Sequence, residues 1–231
     1  MIDGVVFDKD GTLFDFRSSW GGFADRMLAQ FARDPDHAAA LAALVGYDPS
    51  TGQFAADSVM IAATTADIAE QMHRVLPEMS LASLNDRLNL LATNAPMYPA
   101  VDLRGVLQGL RDKGLALGLA TNDTEVPARA HLAEAGISDL FDFIAGCDSG
   151  FGAKPGPGML LAFAQRMGLS PDRVAMVGDS SHDLLAGRAA GMLAVGVLTG
   201  IADRAELTPF ADVVLQDIGS LAAWIDDRTG A

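Results

Sequence analysis

The chain has a single cysteine, Cys147, so no disulfide can form within it, and a reducing cytoplasm is its expected home. It has only three lysines, Lys9, Lys113 and Lys154, and a formal net charge of −14. Such a charge argues against nucleic acid and anionic membranes as partners, because both are held by clustered lysine and arginine. No run of about 18 uncharged apolar residues is present, so no membrane-spanning helix is expected. The opening Met1-Ile2-Asp3-Gly4 has no basic stretch and no cleavage site, and no secretion signal is expected. His37, His73, His131 and His182 are scattered, and no cysteine–histidine cluster points to zinc.

What is there begins with composition. The chain has 231 residues, half of them apolar and 20% charged, enough for one large domain or two modest ones with a real core. Met1 to Phe7 reads as a buried strand, rich in Val, Ile and Phe. Residues 14–97 differ in texture. They are rich in Ala, Leu and Met, with helical spacing at Phe23, Met27, Leu28 and Phe31 and again at Ile61, Ile68, Met72 and Val75. Asp34-Pro35-Asp36, Gly46 to Ser50 and Leu76-Pro77 divide the segment into about four helices with no strand pattern between them. An all-helical insertion is expected over 16–97, inside a core made of 1–15 and 98–231.

From Asn94 to Pro99 the chain returns, and the rhythm becomes alternating helix and strand. Strands are expected at 115–120, 143–145, 174–177, 193–197 and 213–215. Helices are expected at 101–113, 127–135, 158–167, 183–190 and 220–227, several stopped by glycine. Asp203 to Pro209 is a polar connection without a clear pattern. The alternation implies right-handed crossovers and a parallel sheet covered on both faces, an α/β doubly wound fold.

Four expected strands end in polar groups. The first ends in Asp8-Lys9-Asp10-Gly11-Thr12, the second in Thr121-Asn122. The third is followed by a glycine-rich loop holding Lys154, and the fourth by Gly178-Asp179-Ser180-Ser181-His182-Asp183. In a parallel sheet these ends share one edge, where ligands bind. Two carboxylates as close as Asp8 and Asp10 repel unless a cation intervenes, and Mg²⁺ takes oxygen ligands. Gly11 permits the turn, and Thr12 offers a hydroxyl and a backbone N–H to an anion. Metal, lysine, hydroxyl and N–H groups together suit the oxygens of a phosphoryl group. His182 reads as solvated and Lys9 as a charge on the rim.

With these motifs the chain resembles the haloacid dehalogenase superfamily of phosphohydrolases over essentially its whole length. Asp8 to Thr12 match the first motif, Thr121 the second, Lys154 the third and Gly178 to Asp183 the fourth. The helical insertion resembles the cap of the phosphoglycolate phosphatase-like branch. The resemblance implies Asp8 as nucleophile and Asp10 as acid and base. It implies Mg²⁺ on Asp8, the carbonyl of Asp10, and Asp179, with Asp183 in support. Thr121 and Asn122 would bind phosphoryl oxygens, with Lys154 neutralising charge. Asp10 argues against haloacid dehalogenation, and the absence of lysine between residues 10 and 112 argues against phosphonate cleavage. Thr12 favours hydrolysis over a β-phosphoglucomutase-type transfer. A non-catalytic phosphate binder would be expected to lose Asp8 or Lys154, and both are kept. Lys9 departs from the branch, which more often has an apolar residue there. The expected partner is a small phosphorylated metabolite, 2-phosphoglycolate first among candidates, for a monomer or homodimer. Arg17 and Trp20, close after the first motif, are candidates to contact the leaving group, against a packed Trp20 and a solvated Arg17.

Overall fold

The computed structural model describes residues 1–55 and 57–229. Its centre is β1 (Gly4–Phe7), whose Val5, Val6 and Phe7 have no solvent exposure. Burying each of these side chains contributes about 1.5–3 kcal/mol. The chain then leaves the sheet for α1 (Phe16–Phe31), α2 (Pro35–Leu44), β2 (Tyr47–Asp48), β3 (Gln53–Phe54), α3 (Thr65–His73) and α4 (Leu81–Thr93). It returns through α5 (Leu103–Asp112), β4 (Ala116–Ala120), α6 (Glu125–Glu134), β5 (Phe143–Ala145), α7 (Gly158–Met167) and β6 (Val174–Gly178). Next come α8 (Ser181–Ala190), β7 (Leu193–Val197), α9 (Arg204–Leu207), β8 (Val213–Leu215) and α10 (Leu221–Thr229).

Six strands form one parallel sheet in the order β5-β4-β1-β6-β7-β8. The doubly wound α/β core is as expected. Because β1 pairs with β4 on one side and β6 on the other, the order reverses at β1, the kind of switch point that opens a crevice at the strand ends. Apolar clusters cover both faces, one around Phe7, Leu107 and Leu117, the other around Val6, Phe163 and Met176.

Helices α1–α4 build a separate apolar cluster around Phe23, Met27, Leu41, Met72 and Leu84. About four helices were expected here, and four are present among the described residues. The segment is not all-helical, however: β2 and β3 form a small antiparallel hairpin. Gly46 and Gly52 take left-handed backbone (φ 68° at both), and the Asp48 carboxylate accepts from Ser50 N, Ser50 Oγ and Thr51 Oγ1. Two-residue strands are too short to show an alternation in sequence. The polar connection at Asp203 holds α9, closed by a capping box between Asp203 and Glu206.

The two connectors to this segment run side by side. Asp15 N donates to Tyr98 O at 2.8 Å, Ala100 N to Leu13 O at 2.9 Å, and Phe14 bridges Pro99. Ser19 Oγ accepts from Tyr98 N at 3.1 Å. Among the described residues no helix is long and apolar enough to cross a membrane.

Candidate active site

Asp8 follows the last residue of β1, Thr121 the last of β4, and Asp179 the last of β6, so hydrophobic runs deliver all three to one edge. Asp183 lies in the first turn of α8. Its Oδ2 closes a capping box with Ser180, accepting from Oγ at 2.7 Å and from N at 3.1 Å. That bond fixes the carboxylate and leaves Oδ1 for Lys154, whose Nζ stands 2.7 Å from it and 2.5 Å from Asp8 Oδ1. Burial alone would lower the Lys154 pKa, but the Asp183 and Asp8 carboxylates outweigh it and raise it.

One oxygen from each of Asp8, Asp179 and Asp183 lies within 4.8 Å of the others. Burial, with Asp183 and Asp10 as neighbouring charges, lifts Asp8 to about 7 against the pull of Lys154. Asp179 is also held well above the carboxylate range, by burial first and then by Asp183 and Asp8. Three buried carboxylates with one ammonium between them lack positive charge, and an all-oxygen donor set suits a hard divalent cation. Glycines leave the room that the Asp179 carboxylate occupies. A Cβ on Gly200 would lie 1.7 Å from Asp179 Oδ2, and one on Gly11 2.3 Å. The residues present fit a divalent metal.

Asn122 does different work from that expected. Its Oδ1 accepts from Lys154 N at 2.8 Å, and its Nδ2 donates to Lys154 O at 2.9 Å and to Ala62 O at 2.8 Å. The amide thus clamps the Lys154 loop to the end of β4 and ties both to the segment before α3. Thr121 Oγ1 accepts from Asp123 N at 3.1 Å.

Lys9 is not on the rim. It has no solvent exposure, and its ammonium reaches Asp10 Oδ1 at 2.7 Å, His131 Nδ1 at 3.1 Å and Asp123 Oδ2 at 3.4 Å. It also sits over the Trp20 ring, 6.0 Å from the centroid. Burial lowers its pKa, but the Asp10 and Asp123 charges more than compensate. Burial also raises Asp123, to about 6.

A cavity joins these strand ends to the helical segment, lined on the core side by Asp8, Asp10, Thr121, Asn122, Lys154 and Asp183 among others. Trp20 lines it. Arg17 does not: it lies on the exposed face of α1, opposite Phe16 and Ser19, and its guanidinium donates to Gln53 Oε1. Gly11 and Thr12 shape the turn and also lie off the cavity wall, Thr12 being fully buried. His182 is half-buried and lines the cavity rather than being solvated. Asp123 and Gly200 went unrecognised in the sequence. Asp123 directly follows Thr121-Asn122, and Gly200 follows the end of β7 on the same edge, so the rule that found the other residues also covered these.

The family of haloacid dehalogenase-like hydrolases matches residues 2–191. A protein named Probable phosphatase IndB, from Dickeya dadantii, is 32% identical over 92% of this chain and 88% of its own length. Phosphoglycolate phosphatase of Neisseria meningitidis serogroup A is 31% identical over 97% of this chain and 89% of its own. The crystal structure of a hydrolase from Pseudomonas syringae shares the fold at a TM-score of 0.71 and 20% identity, covering 98% of this chain and 99% of that one. The motifs, the parallel sheet and these relatives agree: the chain belongs to the haloacid dehalogenase-like hydrolases and is an enzyme of the kind that hydrolyses phosphoric monoesters.

Proposed function

We propose that this phosphatase hydrolyses a small phosphomonoester in two steps through Asp8. The observation that carries the reading is Lys154 Nζ between Asp8 and Asp183, beside Asp179, at the end of the central strand. In the first step an Asp8 carboxylate oxygen attacks phosphorus and the bond from phosphorus to the ester oxygen breaks. Asp10 gives its proton to the departing alkoxide, so the alcohol leaves neutral. In the second step Asp10, now ionised, takes a proton from water as that water attacks the aspartyl-phosphate. Inorganic phosphate leaves and Asp8 is restored. Lys154 holds negative charge on Asp8 and on the transferring oxygens, and Asn122 keeps Lys154 in place. Thr121 stands ready to donate to a phosphoryl oxygen.

Asp8, Asp179 and Asp183, with the carbonyl of Asp10, would hold Mg²⁺. Bound there, the ion supplies Lewis-acid charge for the phosphoryl oxygens and lets the crowded carboxylates ionise. Residues 16–97 act as a cap over a catalytic core of 1–15 and 98–231, hinged at 13–17 and 96–99, and closure excludes water from the aspartyl-phosphate. 2-Phosphoglycolate belongs in the first panel of substrates to be assayed, since relatives of this chain are named phosphoglycolate phosphatase.

The test is phosphate release from a panel of phosphorylated metabolites, with and without Mg²⁺, for wild type and Asp8→Asn. Release that needs Mg²⁺ and falls below about one thousandth in Asp8→Asn supports the reading. Activity that survives Asp8→Asn sinks it. Transfer of phosphate to a second sugar hydroxyl, in place of release, would instead reveal a mutase of the β-phosphoglucomutase type.

A further inference from the structure

The phosphoryl half of the cavity is rich in charge, and the other half is not. Facing the strand ends are Trp20 of α1, Met60, Ile61 and Ala63 of the following loop, and Thr65 and Ile68 of α3. None of these is cationic. No lysine lies between residues 10 and 112, and the arginines of this segment point elsewhere. Arg17 is bound to Gln53, Arg26 to the carbonyls of Gly22 and Asn94, and Arg33 to His37 and Glu78, while Arg74 and Arg87 are exposed. None of the five lines the cavity.

Among the described residues the core lysines at the cavity are already paired. Lys154 is held by Asp8 and Asp183, and Lys9 is buried and shared among Asp10, Asp123 and His131. Against that single Lys9 charge stand two carboxylates, Asp10 and Asp123, both of residues that line the cavity. His182 fronts the cavity from the core side, next to Asp183 and two residues beyond Ser180. A leaving group carrying a carboxylate would therefore meet apolar side chains and, at Asp10 and Asp123, charge of its own sign.

The wall does have polar capacity of another kind. The Trp20 indole N–H is buried without a partner among the described residues, and the Thr65 hydroxyl belongs to the same wall. Both can donate to a neutral oxygen.

Resting on the phosphatase reading above, we propose that the leaving group is a small uncharged alcohol bearing one hydroxyl or carbonyl oxygen. The face of Trp20, Met60, Ile61 and Ile68 selects it by rejecting carboxylates. Hydrolysis then yields that neutral alcohol and inorganic phosphate, with water supplying the oxygen that replaces the ester oxygen on phosphorus. The acid 2-phosphoglycolate is a poor fit to this wall.

Charge can be separated from size by measuring kcat/KM, with Mg²⁺ near neutral pH, for 2-phosphoglycolate and for its neutral amide, 2-phosphoglycolamide. 2-Hydroxyethyl phosphate is the second neutral ester and Asp8→Asn the control. The expected result is a preference of about tenfold or more for the neutral esters over the acid. Ile61→Arg, at a half-buried position, and Ala63→Arg as a second variant should each move the ratio of acid to amide upward by about tenfold. Equal or faster turnover of the acid by wild type overturns the proposal while leaving the phosphatase reading intact. Turnover of none of the esters also overturns the proposal, and turnover that survives Asp8→Asn overturns both.

Discussion

The ammonium of Lys9 lies 3.1 Å from Nδ1 of His131, and both side chains are sealed from solvent. Lysine has only donors, so Nδ1 accepts, and the ring proton belongs on Nε2, which donates to the carbonyl of Ala92 at 2.8 Å. His131 is therefore neutral, and burial together with the Lys9 charge lowers its pKa from 6.5 to about 4. Between those values the unfolded chain binds a proton that the folded chain refuses. The stability gained from neutral His131 is thus complete above pH 6.5 and drains away as pH falls toward about 4. Urea unfolding of wild type and His131→Asn at several pH values should show a gap that is widest above pH 6.5 and narrows in acid. A gap independent of pH would remove His131 from the acid response.

Lys9 itself balances two buried carboxylates. Lys9→Met should cost about 3–5 kcal/mol, because Asp10 and Asp123 would be left without their cation. Adding Asp123→Asn should recover part of that loss, and a double-mutant cycle read by chemical denaturation measures the coupling. Strict additivity of the two changes would mean that the 3.4 Å contact carries no energy.

On the proposed reading, metal and protons compete at Asp8. Its pKa is raised from 3.8 to about 7, so without metal the folded chain holds a proton that the unfolded chain releases. The contribution of Asp8 to metal-free stability should then be greatest below pH 4 and be lost as pH rises to about 7. Added Mg²⁺ should raise the melting temperature more at the upper end of that range than at the lower. At a hundred times its Kd the gain is about 2.7 kcal/mol. In Asp8→Asn both the slope and the Mg²⁺ shift should shrink. An unchanged Mg²⁺ shift in that variant would place the ion elsewhere.

Gly200 has no chemistry of its own, yet its missing side chain leaves the room that Asp179 occupies. Gly200→Ala should weaken Mg²⁺ affinity by about 10–100-fold, the usual cost of disturbing a group that orients a ligand. Magnesium titrations of activity in wild type and variant check this, with circular dichroism to confirm the fold. Wild-type affinity in Gly200→Ala would show that Asp179 can give way freely.

The parallel sheet and the residues at its strand ends were readable because apolar runs of four or five residues stop abruptly at Asp8, Thr121 and Asp179. Such breaks are local, and a chain displays them without being folded. Lys9 was misread for the opposite reason. A lysine among turn residues is ordinarily solvated, and its burial depends on Asp123 and His131, which arrive from elements more than a hundred positions away. Arg17 and Trp20 both follow the first motif within one short stretch of α1, and only the facing of that helix decides which of them meets the cavity. The hairpin at Tyr47 and Phe54 was hidden by its brevity. The helix after Asp203 was hidden too, although its Asp203–Glu206 capping pair is plain in the sequence once looked for.

The paired connectors, Asp15 with Tyr98 and Leu13 with Ala100, have a consequence for descent. A chain that leaves and re-enters through hydrogen-bonded neighbours can lose or exchange everything between them and still close, because the ends already meet and a different length of loop adds little entropy. The carboxylates and Lys154 lie outside that loop, whereas Trp20, Ile61 and Ile68 lie within it. Bond-breaking and recognition can therefore be inherited separately, and a graft from Phe14 to Pro99 would carry one phosphatase's taste in alcohols onto another's catalytic edge.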